Sequence, residues 1–114
     1  MRVTGKKILT KLKLKQRGNV NLLEEIDLLV DELENNEFNS FEELKKIRND
    51  ADKVHNDGFY FFNINIHRTL ILIEMSENGE ATIVWAGDHQ EYESVFKNNK
   101  KAIAKWLKNN GWIS

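Results

Sequence analysis

The chain contains no cysteine and no proline in 114 residues. Without cysteine, neither a disulfide framework nor a thiolate metal site can form. No proline-rich, glycine-rich or low-complexity stretch offers a linker, and no internal repeat is visible, so residues 1–114 read as one domain. A domain of this length buries roughly two thirds of its unfolded surface and can hold its own core. No apolar run approaches the ~18 residues of a membrane span. The start, Met1-Arg2-Val3-Thr4-Gly5-Lys6-Lys7, lacks the apolar run of a signal peptide. A soluble, cytoplasmic protein with no membrane partner is expected. Glycine-rich phosphate loops and nucleophilic serine or cysteine constellations are also missing. The three histidines, His55, His67 and His89, include no pair at helical i, i+4 spacing, so neither a metal nor another cofactor is expected.

What is present is charge, and it is segregated. The 17 basic and 18 acidic residues nearly cancel to −1. Residues 1–18, however, carry seven basic side chains (Arg2, Lys6, Lys7, Lys11, Lys13, Lys15 and Arg17) and no acid. Residues 19–52 carry eleven acids against Lys45, Lys46 and Arg48, and from Lys97 onward there are five lysines and no acid. Basic ends around an acidic middle permit polyanion binding on one face, and they also suit ordinary solvated helix faces.

Periodicity divides the chain into two halves. Residues 2–4 suit a short strand, and 6–17 a first helix that carries the lysines. Gly18-Asn19 breaks it. Leu22, Leu23, Ile26, Leu29, Val30 and Leu33 then recur on one face of a helix whose other face is acidic. Ser40 and Glu43 have capping-box spacing before a short helix with Phe41, Leu44 and Ile47. From Asn56-Asp57-Gly58 the pattern becomes strand-like: Phe59–Asn65, Arg68–Met75 and Ala81–Ala86 are rich in aromatic and β-branched residues. A closing helix is expected from about Asp88 to Asn109. The fold class is α+β, with N-terminal helices and a C-terminal helix packed on one face of a small antiparallel sheet.

Asn78-Gly79 is a strong two-residue hairpin signal. It pairs Glu77 with Glu80, and carried outward this register sets Met75 opposite Thr82, Ile73 opposite Val84, Leu72 opposite Trp85 and Arg68 opposite His89. His67, Arg68, Asp88 and His89 then share the open end of the hairpin, with Glu91 and Tyr92 one helical turn away. Asp88 and Glu91 also have the spacing of a capping box, and Tyr92 lies on the apolar stripe of the helix, so part of the cluster is explained by helix initiation and packing alone. The remaining chemistry suits phosphodiester cleavage in RNA without a metal. A base takes the 2′-hydroxyl proton, an acid protonates the leaving 5′ oxygen, and arginine stabilises the pentacoordinate phosphate.

Three stretches, "MRVTGKK", "FNSFEELKKIRNDADKVHNDGFYFFNI" and "HRTLILI…WAGDHQEYE", occur in this order over residues 1–95. Together they resemble the HigB toxins of bacterial type II toxin–antitoxin systems, within the RelE-like superfamily. The most specific elements are Phe62-Asn63-Ile64, the Arg68 strand, and Gly87-x-His89-x-Glu91-Tyr92 followed by an acid. The resemblance implies a RelE-like α+β toxin that cleaves mRNA as an endoribonuclease, usually in the ribosome. It also implies neutralisation by a HigA-type helix-turn-helix antitoxin, and contact with operator DNA only through that complex. Carried over residue by residue, Arg68 binds the scissile phosphate and His89 is general acid or base. Tyr92 or Glu91 assists, the division of roles staying open. The chain departs from the pattern at Ile66, where many relatives carry lysine and His67 stands in, and at Asp88, where threonine is common. These departures leave a second expectation open, an RNA- or antitoxin-binding protein with the toxin fold and impaired catalysis. Lys6, Lys7, Lys11, Lys13, Lys15 and Arg17 form a cationic surface suited to ribosomal RNA.

Overall fold

The computed structural model describes residues 1–76 and 78–114. The elements are β1 (Arg2–Thr4), α1 (Lys6–Lys15), α2 (Val20–Glu34), α3 (Phe41–Ile47), β2 (Asp52–His55), β3 (Phe59–Ile64), β4 (His67–Glu74), β5 (Glu80–Asp88), α4 (His89–Phe96) and α5 (Lys100–Asn109). The strands form one sheet in the order β1-β5-β4-β3-β2. It is an α+β fold consistent with the RelE-like class. Among the described residues no helix is long and apolar enough to cross a membrane.

The sheet is mixed, because β1 runs parallel to β5 while the other pairs are antiparallel. Gly5 makes the exit from β1 possible: its φ is +76°, and a Cβ there would lie 2.4 Å from the Ile83 carbonyl oxygen. Only glycine tolerates both the left-handed backbone and that approach. The N-terminal helices begin and end as the sequence suggests. Asn19 caps α2, and the Ser40 hydroxyl accepts from Glu43 N at 3.2 Å. The Glu43 carboxylate reaches back one residue further than a capping box requires, to Asn39 N at 2.7 Å.

Both faces of the sheet are covered, which corrects the expectation of helices on one face only. Tyr60, Phe62, Ile64, Ile71, Ile73, Ala81 and Ile83 pack against Leu9 and Leu12 of α1, Leu22, Ile26, Leu29 and Leu33 of α2, and Leu44 of α3. Phe59, Phe61, Leu70 and Val84 pack on the opposite side against Tyr92 and Phe96 of α4 and Ile103 and Leu107 of α5. The run Phe59-Tyr60-Phe61-Phe62 therefore does not alternate with polar residues, as expected of a strand buried on both sides.

Three further expectations are corrected. The strand β2 has a single buried residue, Val54, so its mostly polar edge sequence carries no strand signal. The closing helix is two helices: Lys97 and Asn98 both take positive φ (54° and 47°), and Asn99 caps α5 by accepting from Lys101 N and Ala102 N. The hairpin register also differs. Glu74 pairs with Glu80, Ile73 with Ala81 and Ile71 with Ile83, and Gly79 N donates to Ser76 O at 3.0 Å. The expected Glu77–Glu80 pair involves Glu77, which lies outside the described residues. A register set by a two-residue turn would place Ile73 opposite Val84 and send one of them to the wrong face. Burial of Ile71, Ile73, Ala81 and Ile83 in one core decides the matter. A bulge at Val84 then shifts the ladder, so Leu70 pairs with Trp85, Arg68 with Gly87 and His67 with Asp88. Arg68 thus faces Gly87, two residues short of the expected His89.

Candidate active site

The site lies where β3 ends, β4 begins and α4 starts. Side chains of β4 alternate, so Arg68, Leu70 and Leu72 point toward α4 and α5 while His67, Thr69, Ile71 and Ile73 point toward α1 and α2. Asn63 pairs with Arg68 across β3, and Gly87 pairs with it across β5. Glycine at position 87 leaves space that a side chain would contest, because a Cβ there would fall 2.7 Å from Cζ2 of the Trp85 indole and 3.2 Å from Cβ of Glu91. Its missing side chain leaves room for the indole, which meets the Phe61 and Phe96 rings edge-on at centroid distances of 6.2 and 5.0 Å.

Arg68 is braced on three sides. Its Nε donates to Asn63 Oδ1 at 3.2 Å, its guanidinium carbon sits 4.7 Å from the centre of the Tyr92 ring, and the Phe61 ring is 5.7 Å away. A guanidinium over an aromatic face gains roughly 0.5–2 kcal/mol, depending on desolvation. Among the described residues no carboxylate comes within 4.0 Å of it. Arg48 is different, bridging Glu32 at 3.2 Å and Asp50 at 2.8 Å. Arg68 is therefore a held cation with no carboxylate at close range among the described residues.

Tyr92 joins Arg68 to His89. It is buried, and its hydroxyl donates to Asn98 Oδ1 at 3.0 Å. Burial pushes the phenol above its ordinary value, the Arg68 charge works against this, and Asp52 and Glu93 reinforce it. The phenol is consequently neutral through the physiological range. The His89 imidazole stacks near the Tyr92 ring, with centroids 6.2 Å apart and planes 20° apart. Its side chain is 74% exposed, and Nε2 lies 3.6 Å from Glu93 Oε1 one helical turn on.

The other predicted residues divide. Asp88 and Glu91 form the expected capping box: Asp88 Oδ1 accepts from Glu91 N at 2.8 Å, and Glu91 Oε1 accepts from Asp88 N at 3.1 Å. Glu91 also lines a shallow groove with Lys11 and Lys15 of α1. His67 is not brought to this group. It is buried on the opposite face of the sheet, and its Nδ1 has no hydrogen-bond partner among the described residues. Of the N-terminal cations, Lys6 is paired with Glu34 at 3.1 Å and Lys13 with Asp27. Lys7, Lys11, Lys15 and Arg17 are exposed and meet no carboxylate within 4.0 Å among the described residues. Lys7, Lys11 and Lys15 stand at i, i+4 and i+8, on one ridge of α1.

Sequence reasoning assigned no role to Phe61, Asn63, Glu93 or Asn98. The period of two along β3 was the available signal for the first pair, since it sets Phe61 and Asn63 on one face and leaves Asn63 as a lone amide in an apolar strand. Glu93 follows His89 at i+4, a helix-face relation readable in advance. Asn98 had none, because its place depends on the break between α4 and α5.

In comparison with known proteins, the chain matches the HigB toxin family, described as the RelE-like toxic component of a toxin–antitoxin system, over residues 23–95. That span runs from α2 through most of α4 and includes Asn63, Arg68, His89, Glu91 and Tyr92. It excludes the lysines of α1 and α5. No curated protein matches the chain. With nearly two thirds of its length matched, and with an α+β fold that agrees, the chain belongs to the HigB toxin family.

Proposed function

We propose that this toxin is an endoribonuclease that cuts mRNA, acting on the ribosome, by metal-independent attack of a ribose 2′-hydroxyl on the neighbouring phosphate. The observation that carries this reading is the Arg68 guanidinium, braced by Asn63, Tyr92 and Phe61 with no carboxylate within 4.0 Å among the described residues, while the exposed His89 imidazole stacks near the same Tyr92 ring. A guanidinium fork suits the non-bridging oxygens of a phosphodiester, and its charge counts most as the phosphorane forms.

In the reaction O2′ loses its proton to a base and bonds to phosphorus, the P–O5′ bond breaks, and O5′ gains a proton. The products are a 2′,3′-cyclic phosphate and a 5′-hydroxyl. Imidazole is the side chain that carries either protonation state near neutrality, so His89 takes one of these proton transfers, with Glu93 orienting it. Tyr92, neutral and bonded to Asn98, serves by holding Arg68 with its ring. Glu91 is committed to the helix start. The ridge of Lys7, Lys11 and Lys15 supplies ribosomal RNA contacts. In this reading the toxin works in the cytoplasm, is neutralised by a HigA-type helix-turn-helix antitoxin, and meets operator DNA only through that complex.

A second reading, an RNA- or antitoxin-binding protein with impaired catalysis, draws on two positions: the Asp88 carboxylate at the edge of the site, and Ile66, 74% exposed at the turn before Arg68. Expression without an antitoxin separates the two. Growth arrest by the wild-type chain, relieved in folded Arg68→Ala and His89→Ala variants, supports the nuclease. Equal toxicity of both variants rejects the assignment.

A further inference from the structure

β2 stops short of Asn63. Asp52 pairs with Phe61, so the same register carried two residues further would set position 50 opposite Asn63, but the chain there is a turn. Asn63 N–H and C=O point away from β4, as in a non-hydrogen-bonded antiparallel pair, and at a sheet edge they would be left without partners. An ion pair fills the gap. Asp50 Oδ2 accepts from Asn63 N at 2.7 Å, and Arg48 Nη2 donates to Asn63 O at 2.8 Å and to Asp50 Oδ2 at 2.8 Å. Arg48 Nη1 extends the network to Glu32 Oε1 of α2 at 3.2 Å, and the guanidinium lies 5.9 Å from the Phe62 ring. The Arg48 and Asp50 side chains are 13% and 19% exposed, so this pair is shielded from water and salt more than a surface bridge. Two side chains thus reproduce the hydrogen bonds of one missing strand residue.

The clamp fixes both backbone groups of the residue whose side chain holds Arg68. In a non-hydrogen-bonded pair the two side chains approach most closely, and Asn63 Oδ1 accordingly takes the Arg68 Nε proton at 3.2 Å. Any slippage of β3 at Asn63 would move that oxygen and release the guanidinium from its orientation over Tyr92. We propose that Arg48 and Asp50 are positioning residues, acting through Asn63 to hold the Arg68 guanidinium in the orientation that receives an RNA phosphate. This rests on the reading of Arg68 as the phosphate-binding cation.

The test uses Asp50→Ala, Asn63→Ala, the double variant and the wild-type full chain. The Arg68 Nε–H resonance in a nitrogen-15 spectrum reports the bond to Asn63 whether or not the protein is a nuclease. Asn63→Ala assigns the bonded signal by removing it, and Asp50→Ala is expected to shift or broaden the same signal. An unmoved signal in folded Asp50→Ala overturns the proposal. Each single variant should also slow RNA cleavage at saturating substrate, by up to roughly 10²-fold for a displaced catalytic group. The double variant should be no slower than the worse single. Losses that multiply would mean that Asp50 acts independently of Asn63, and would overturn the proposal. If Asp50→Ala does not fold, Asp50→Asn, which keeps an oxygen for Asn63 N but lacks the charge that holds Arg48, gives the same two readouts. Absence of cleavage by the wild-type chain would reject the nuclease reading while leaving the resonance test decisive for the clamp.

Discussion

Asp88 separates helix capping from catalysis. Its Oδ1 accepts from Glu91 N at 2.8 Å at the start of an eight-residue helix that carries His89 and Tyr92. Replacing Asp88 by alanine removes that acceptor, at about 1 kcal/mol, and a negative charge at the helix N-terminus, at about 0.3–1 kcal/mol more. A total loss of about 1–2 kcal/mol follows, which moves a urea midpoint by roughly 0.5–1 M at the slopes usual for small domains. Threonine keeps a capping oxygen, so Asp88→Thr should lose about half as much. Threonine also removes a negative charge from the edge of the proposed RNA site. A like charge roughly 8 Å from a phosphate in water opposes binding by about 0.5 kcal/mol, close to twofold in affinity. Asp88→Thr should therefore bind a 2′-O-methyl RNA about twice as tightly at low salt, the gain fading as salt screens the interaction. The assays are urea unfolding and fluorescence anisotropy at two salt concentrations. Unchanged stability of Asp88→Ala would refute the capping account, and weaker RNA binding by Asp88→Thr would show that the carboxylate belongs to the binding machinery.

Other outcomes follow from the same geometry. Burial raises the hydroxyls of both tyrosines in the chain, Tyr60 and Tyr92. A group whose folded pKa is raised contributes stability that is full below the unfolded value, about 10 for a phenol, and is lost as pH rises through the folded value. Urea midpoints should thus fall as pH rises past about 10, less steeply in Tyr92→Phe, and phenol absorbance should titrate above 10 in the folded protein. A tyrosine titrating at or below 10 would contradict the packing described. Among the α1 cations, Lys7→Gln, Lys11→Gln and Lys15→Gln should each reduce the log–log salt slope of single-stranded RNA binding by roughly 0.7. Lys6→Gln and Lys13→Gln, whose charges are already paired with Glu34 and Asp27, should reduce it less. Equal reductions at all five positions would show that the ion pairs do not persist in solution.

Local signals were legible in the sequence where local physics decides the structure. The apolar stripe of α2, the Asp88–Glu91 capping box and the strand at Phe59–Ile64 appear as expected, while the burial of that strand on both faces does not. The register of β4 on β5 was not legible, because the choice between two pairings depends on which residues reach a core built by α1 and α2, and the Asn78-Gly79 turn signal carries no knowledge of that core. The break between α4 and α5 was hidden by phase. Phe96 and Ile103 are seven residues apart, close to two helical turns, so the apolar stripe reads as continuous across Lys97 and Asn98. The site was legible in part. Arg68, His89, Glu91 and Tyr92 carried the family resemblance and do gather at one corner, while His67, adjacent to Arg68 in sequence, is sent to the other face by strand alternation. Asn63 with its Arg48–Asp50 clamp depends on contacts across 13 and 15 residues of chain, for which sequence spacing gives no sign.

In the proposed reaction Arg68 and His89 cleave RNA through its own 2′-hydroxyl. The most direct test maps the ends produced on an mRNA in a reconstituted translation system. The wild-type chain should make cuts that leave a 2′,3′-cyclic phosphate and a 5′-hydroxyl, with cleavage at least ~10²-fold slower in Arg68→Ala and His89→Ala variants that unfold at the wild-type temperature. No cleavage by the wild-type chain, cuts that leave 5′-phosphates, or undiminished cleavage by both variants would contradict it.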